Sequence, residues 1–341
     1  MRRILWTSLA LAPATILVDR LTGADDTLLF VLAALALIPL AWLIGESTEH
    51  AAEHTGPGVG GFLNASFGNA PELIIALIAI QNGLFGVVLG SLAGSVISNL
   101  LLVFGIAQLV AQDGCALDRR SLLTQIGLCG TAILLVLPVA VLGWSGASQH
   151  TAVGVSIPVS TALLIVYLLV TGRNLRRHHR AEREEAHAGA WSLPRSLATL
   201  AIATAFTALI SEVLVHSLES FAHAIGATEF FIAAIVVAVV GNAAEHGGAV
   251  VIARTGNMKL ASEIAISSSA QVALLVTPAV MLLSLLFANH LALTFRWEEV
   301  AAMAGAVLLT LAMVRDAHSR RWEGGLLVST FAVVAVWFWL A

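Results

Sequence analysis

Two short stretches, GNAPELIIALIA at residues 68–79 and GNAAEHGGAVVI at 241–252, decide how this chain is read. They align without gaps at an offset of 173 residues, and the register continues past them. Gly83 falls on Gly256, Ser95 on Ser268, and Leu101-Leu102-Val103 on Leu274-Leu275-Val276. Shared Leu and Ala count for little, because any two apolar helices match by composition. The shared Asn69/Asn242 and Glu72/Glu245 count for much more, since both stretches lie in long apolar runs where a carboxylate is costly.

The whole chain has that apolar character. Of 341 residues, 58% are apolar and only 11% charged, against roughly 45–50% and 25% in a soluble domain. Its mean hydropathy is +0.91. A soluble core has no use for so much apolar surface, whereas a bilayer does. At about 20 apolar residues per crossing, the sequence predicts about eleven transmembrane helices. They lie near 4–19, 27–48, 58–81, 84–111, 121–143, 151–172, 196–223, 228–253, 260–288, 297–314 and 323–340. The implied fold class is an all-α integral membrane protein.

The basic residues support that count. Cytoplasmic loops are enriched in Lys and Arg. With the N-terminus cytoplasmic, fifteen of the seventeen fall on that side and only Arg20 and Arg296 on the other. They gather in short loops rather than on a basic face, which argues against nucleic acid as a partner. The first apolar run follows Arg2 and Arg3 and contains Ala10, Pro13 and Ala14, so it also has the form of a signal peptide. A leading membrane helix is the reading preferred here, on the resemblance described below. Cys115 and Cys129 read as packing residues rather than a disulfide or a metal site.

Glu72 falls in the third predicted span and Glu245 in the eighth. Five spans separate them, an odd number, so the two helices run in opposite directions through the bilayer. That predicts an inverted-topology repeat, with substrate held where helices are broken near the midplane. The expected organisation is a leading helix (1–26), a five-helix repeat (27–172), a cytoplasmic linker (173–195) and a second five-helix repeat (196–341). The linker reads as solvated chain, with a His- and acid-rich regulatory patch as the alternative. Gly68 and Pro71 are the expected break in the first copy and Gly241 in the second.

Two carboxylates facing each other in hydrocarbon cannot both stay ionised and unanswered. Each can take up a proton, or a divalent cation can sit between them. These states exclude each other, which is a physical basis for exchange. Asn69 and Glu72 are three residues apart and share a helix face, as do Asn242 and Glu245. With backbone carbonyls and water they make an all-oxygen set of the kind Ca²⁺ prefers. The duplicated set contains no Cys and no repeated His, which disfavours soft metals. Gln271, aligned with Ser98, is a further candidate. Ser98 either supplies an oxygen or bonds back to its own helix, and the same choice holds for the Ser95/Ser268 pair. Asn99, opposite Val272, reads as helix packing. His246 either tunes its neighbour Glu245 or is simply solvated.

These residues resemble the cation/proton exchangers, the CAX-type Ca²⁺/H⁺ antiporters. GNAPEL (68–73) and GNAAEH (241–246) look like that family's paired signatures. The segments 47–74, GSVISNLLLVFG (94–105) and SSSAQVALLVTP (267–278) are similar to their surroundings. The resemblance implies one leading helix followed by two inverted five-helix halves. It implies that Glu72 and Glu245 bind Ca²⁺ and exchange it for protons, with Asn69, Asn242 and Gln271 contributing oxygens or hydrogen bonds. It also implies that Glu49 and Glu219 serve access and gating, and that no cofactor is involved beyond the transported Ca²⁺ and H⁺. A multi-pass protein of a prokaryotic inner membrane is the expected setting. His50, Pro71 and Gly247-Gly248 depart from the family pattern. A Na⁺/Ca²⁺ exchanger of the same superfamily is the alternative, although Asn rather than Ser or Thr stands beside each acid. Two further classes are a passive channel and a membrane zinc peptidase, the latter because His50-Ala51-Ala52-Glu53-His54 matches H-x-x-E-H.

Overall fold

The computed structural model describes residues 2–178 and 191–341, so residues 179–190 of the expected linker lie outside the described residues. The described chain is nearly all helix: α1 (Ile4–Leu21, with a turn at Leu9 and Ala10), α2 (Asp26–Gly68), α3 (Ala70–Gln81), α4 (Phe85–Val110), α5 (Arg119–Trp144), α6 (Gln149–His178), α7 (Leu193–Ile225), α8 (Glu229–Gly241), α9 (Ala243–Arg254), α10 (Met258–Ser284), α11 (Trp297–Val314) and α12 (Arg321–Leu340). Among the described residues, nine helices are long and apolar enough to cross a membrane. The pair α8–α9, bent by 58°, forms a further broken span, and α3 is a shorter apolar helix. Every predicted span therefore has a helical counterpart, and the protein is an all-α multi-pass membrane protein. Leu134, Leu168, Val333 and Leu340 stand exposed on helix surfaces, an arrangement that suits lipid rather than water.

The second and third predicted spans are joined differently from expectation. The stretch TGPGVGG at 55–61 reads as a breaker, yet α2 runs unbroken from Asp26 to Gly68. It starts at the N-cap Asp25, whose carboxylate accepts from the Thr27 N–H. The break falls at Asn69, between Gly68 and Pro71, the two residues expected to supply it. Pro71 is the second residue of α3, where its missing N–H is not required, so it starts a helix rather than kinking one. Asn242 occupies the matching break between α8 and α9.

The 173-residue offset is visible in the backbone. α3 and α9 begin and end at matched positions, 70–81 and 243–254. Both close with the same two bonds. Gly83 N–H donates to Ile80 O and Leu84 N–H to Ala79 O, each at 2.9 Å; Gly256 N–H donates to Ala253 O at 3.1 Å and Asn257 N–H to Ile252 O at 3.3 Å. This closure needs a left-handed residue, and Gly83 (φ +74°) and Gly256 (φ +91°) supply it without strain. The next helices start at Phe85 and Met258, and both widen into a π-helical turn, at Ser98–Val103 and Val272–Val276.

The chain forms two compact units, each drawing on both halves of the sequence. One comprises Met1–Ile78, Ile165–Gly226 and Val240–Ala244. In it α2 and α7 pack antiparallel. At one end Phe30 stacks on Phe221 at 4.2 Å and Ser220 Oγ donates to Asp26 at 2.8 Å. Further along, Leu43, Ile44 and Ala70 pack with Leu200 and Ala203. α1 joins them by setting Trp6 edge-on to Trp42 at 5.5 Å.

The other unit comprises Ala79–Leu164, Ala227–Val239 and Glu245–Ala341. Small residues let its helices approach closely. Gly94 of α4 lies directly against the Ala234 carbonyl of α8, and Gly105 of α4 against Gly324 of α12. Two-residue strands, Cys115–Ala116 and His318–Ser319, pair antiparallel beside α5 and α12. Both cysteines are free, and Cys129 is buried.

The Gly94 contact is backbone on backbone, so a Cβ there has no flexible side chain to displace. Gly94→Ala is expected to destabilise the protein by about 1–3 kcal/mol or more, read as a lowered melting temperature in detergent. Gly127→Ala on α5, where a Cβ meets nothing within 4 Å, should leave that temperature unchanged. Equal melting temperatures for the two variants would contradict the packing described.

Candidate functional site

Both signature acids occupy the same kind of position. Glu72 is in the first turn of α3 and Glu245 in the first turn of α9, each three residues after the Asn at the helix break. A helix N-terminus presents unbonded N–H groups and the positive end of the helix dipole, so it favours a negative charge. The break thus places each carboxylate at a backbone terminus able to offset part of its burial cost.

In the first unit, Asn69 and Asn242 are each 2% exposed and Glu72 8%. The Glu72 side chain lies against the backbone of Gly241. A Cβ built on that glycine would stand 3.3 Å from Glu72 Oε1 and 3.6 Å from its Cδ. The acid of the first signature therefore meets the break of the second, at a residue whose lack of a side chain leaves room for it. Gly241 was expected only as a helix breaker; its packing against Glu72 is the structure's addition.

In the second unit, the Glu245 carboxylate lies beside the Ser268 side chain. Asn99 Nδ2 donates to Ser268 Oγ at 3.0 Å, and His246 Nε2 lies 3.1 Å from Asn99 Oδ1. Three side chains, from α4, α9 and α10, thus form one chain of hydrogen bonds that ends beside the second signature acid. Glu245 Oε2 is buried and has no hydrogen-bond partner among the described residues. The assignment of Asn99 to helix packing is corrected here, because its amide bridges two other helices. A signal for it existed. Asn99 and His246 are polar positions that the repeat fails to match, their counterparts being Val272 and Leu73. These unmatched residues are bonded to each other.

The remaining candidates divide. Ser98 is fully buried and donates to Ser95 O at 3.2 Å, the back-bonded alternative anticipated for it. Gln271 is half-buried at the last residue before the π-turn of α10. Glu49 and Glu219 are exposed on α2 and α7. Within the H-x-x-E-H stretch, His50 lies 3.7 Å from both Glu46 and Glu53 and stacks on Trp191 at 4.8 Å. His54 Nε2 contacts the Trp191 carbonyl at 2.7 Å. Among the described residues no three His, Cys, Asp or Glu side chains are grouped to hold a metal ion. Any cation held at the signatures must therefore take amide and backbone oxygens beside carboxylates.

The sequence and the structure have relatives. The model of the family described as sodium/calcium exchanger protein matches residues 26–175 and 195–340. The chain is 36% identical to the Ca²⁺/H⁺ antiporter ChaA of Bacillus subtilis (strain 168) over the full length of both proteins. It is 35% identical to the Ca²⁺/H⁺ antiporter of Aphanothece halophytica, covering 92% of this chain and 90% of that one. The solved structure of native YfkE superposes with a TM-score of 0.87 at 32% identity, over 99% of this chain and all of that one. Similarity of this extent along the whole length, together with a family model that matches the chain once in each half, means that this chain belongs to the sodium/calcium exchanger protein family, among its cation/proton exchangers.

Proposed function

We propose that the protein is a secondary active transporter that exchanges Ca²⁺ for H⁺ by alternating access, with Glu72 and Glu245 as the groups that accept either ion. The observation that carries this reading is the Glu72 carboxylate resting on Gly241, four residues before Glu245 in the chain. An ionised Glu in hydrocarbon costs about 2.5–3.5 kcal/mol even on lenient scales, and a second carboxylate adds repulsion. A divalent ion removes both penalties, and so do protons. Arrival of one kind releases the other.

Asn69, Asn242 and Gln271 are the proposed neutral ligands, with carbonyls at the two breaks completing the six to eight oxygens that Ca²⁺ takes. Ser98, bonded back to its helix, supports the packing around them. Exposed Glu49 and Glu219 fit a role on the access path, and His246 acts on Glu245 through its neighbours. The two matches to the family model and the repeated backbone at offset 173 support two five-helix halves, 27–172 and 196–341, after the leading helix. The distribution of Lys and Arg supports a cytoplasmic N-terminus and linker, and the bacterial relatives support a prokaryotic inner membrane.

Purified protein in vesicles tests the reading directly. An imposed pH gradient is expected to drive ⁴⁵Ca²⁺ uptake, while a Na⁺ gradient of equal size is not; uptake that follows only Na⁺ would refute it. Glu72→Gln and Glu245→Gln should each reduce uptake roughly a hundredfold or more, because the charge that pairs with the cation is gone, without changing insertion or melting temperature. Near-normal uptake by either variant would remove that residue from the site.

Gly241→Ala gives a finer test of the same geometry. Its Cβ would stand 3.3 Å from Glu72 Oε1, so the carboxylate must shift by a few tenths of an ångström. The Ca²⁺ KM is expected to rise about fivefold with the protein still folded, measured as initial uptake rate against Ca²⁺ concentration. An unaltered KM would mean that Glu72 in its present position does not hold the ion.

A further inference from the structure

We propose that Asn99 is a positioning residue for Glu245: gripped by His246, it fixes the direction of a hydrogen-bond chain that turns the Ser268 hydroxyl toward the Glu245 carboxylate. The inference rests on the exchange reading above, since it treats Glu245 as a residue that meets the transported ion.

The direction follows from the donors available. The carbonyl oxygen of an amide only accepts, so the 3.1 Å contact between His246 Nε2 and Asn99 Oδ1 places the N–H on Nε2. The amide held that way presents its NH₂ to Ser268 Oγ, which accepts at 3.0 Å. With that lone pair engaged, the Ser268 hydroxyl has its own hydrogen to give, and the Glu245 carboxylate beside it can accept. Asn99 is fully buried and Ser268 3% exposed, so bulk water does not compete for these bonds.

The serines on either side show what Ser268 would otherwise do. Ser267 Oγ donates to Ile264 O at 3.3 Å, back into its own helix, and Ser269 Oγ is shared between Ala265 O of its own helix at 3.4 Å and Val96 O of α4 at 3.3 Å. A Ser268 released by Asn99 has the same option, and Glu245 would lose the group that holds its rotamer. The device belongs to one half only. Its counterparts at offset 173 are Val272 for Asn99 and Leu73 for His246, both apolar.

Those counterparts supply the test. Ca²⁺ uptake driven by a pH gradient is measured for the full-length protein in vesicles, as wild type, Asn99→Val, His246→Leu, the double variant, His246→Gln and His246→Asn. Each single apolar change should raise the Ca²⁺ KM roughly tenfold, the effect of one lost buried hydrogen bond, with Vmax held within about twofold. The double variant should be no worse than the more affected single one, because the chain is already cut. His246→Gln, whose terminal NH₂ reaches the position of Nε2, should recover the wild-type KM, and His246→Asn, one bond shorter, should not.

Single effects that multiply in the double variant, equal behaviour of the Gln and Asn variants, or a KM untouched by Asn99→Val would each overturn the proposal. If Asn99→Val fails to insert, the comparison of Gln with Asn at 246, which leaves Asn99 in place, decides alone. A wild type that takes up no Ca²⁺ overturns the exchange reading and this inference with it, and that result is seen before any variant is compared.

Discussion

A carboxylate carried into hydrocarbon must be answered by something, and the fold is arranged around the answer given twice. In each copy the helix is interrupted at an Asn, and the acid follows in the first turn of a new helix. The interruption frees backbone groups that an unbroken helix would consume, and it turns the positive end of a helix toward the carboxylate. Such breaks are tolerable at membrane depth only where other protein covers the exposed backbone. That requirement accounts for the packing nearby. Asn69 and Asn242 are almost wholly buried. The short helices α3 and α9 are closed by the same glycine turn, so their lengths are matched.

Much of this was legible in the sequence, because polar residues in apolar runs announce themselves. Glu72, Glu245, Asn69 and Asn242 stand out by being out of place, and the aligned Gly83 and Gly256 occupy the same turn in the two copies. The helix boundaries were less legible. The stretch 55–61 has glycine at four of its seven positions, with Gly56 before Pro57 and Gly58, Gly60 and Gly61 after it. On local rules it ends a helix, yet α2 passes through it. Gly and Pro are weaker breakers within a membrane bundle, where neighbouring helices meet the freed backbone groups. Pro71 stands at the break expected of it, but its effect depends on whether it falls inside a helix or at its first turn, and only the placement of the break decides that.

Asn99 marks another limit. Reading by repeat gives weight to residues that match and treats the others as filler. The meaning of Asn99 lies in a partner 147 residues away, and no local pattern points to it. Once the fold is known, unmatched polar positions become the informative ones, because two copies of one design need no extra hydrogen bonds to fold alike.

The consequence is that two acids equivalent in sequence are held by different means. Glu72 rests on the backbone of Gly241, so any movement of its carboxylate presses on a helix break. Glu245 is tied through Ser268 to Asn99, which sits in the first turn of the π-helical segment of α4. Beside that carboxylate, the side-chain chain ends at a turn already departing from α-helical geometry. π-turns are less tightly bonded than the α-helix around them and concentrate at functional sites. One acid is therefore coupled to a break and the other to a widened turn. Local backbone is what the repeat conserves, and the groups that surround each acid are where the two copies diverge.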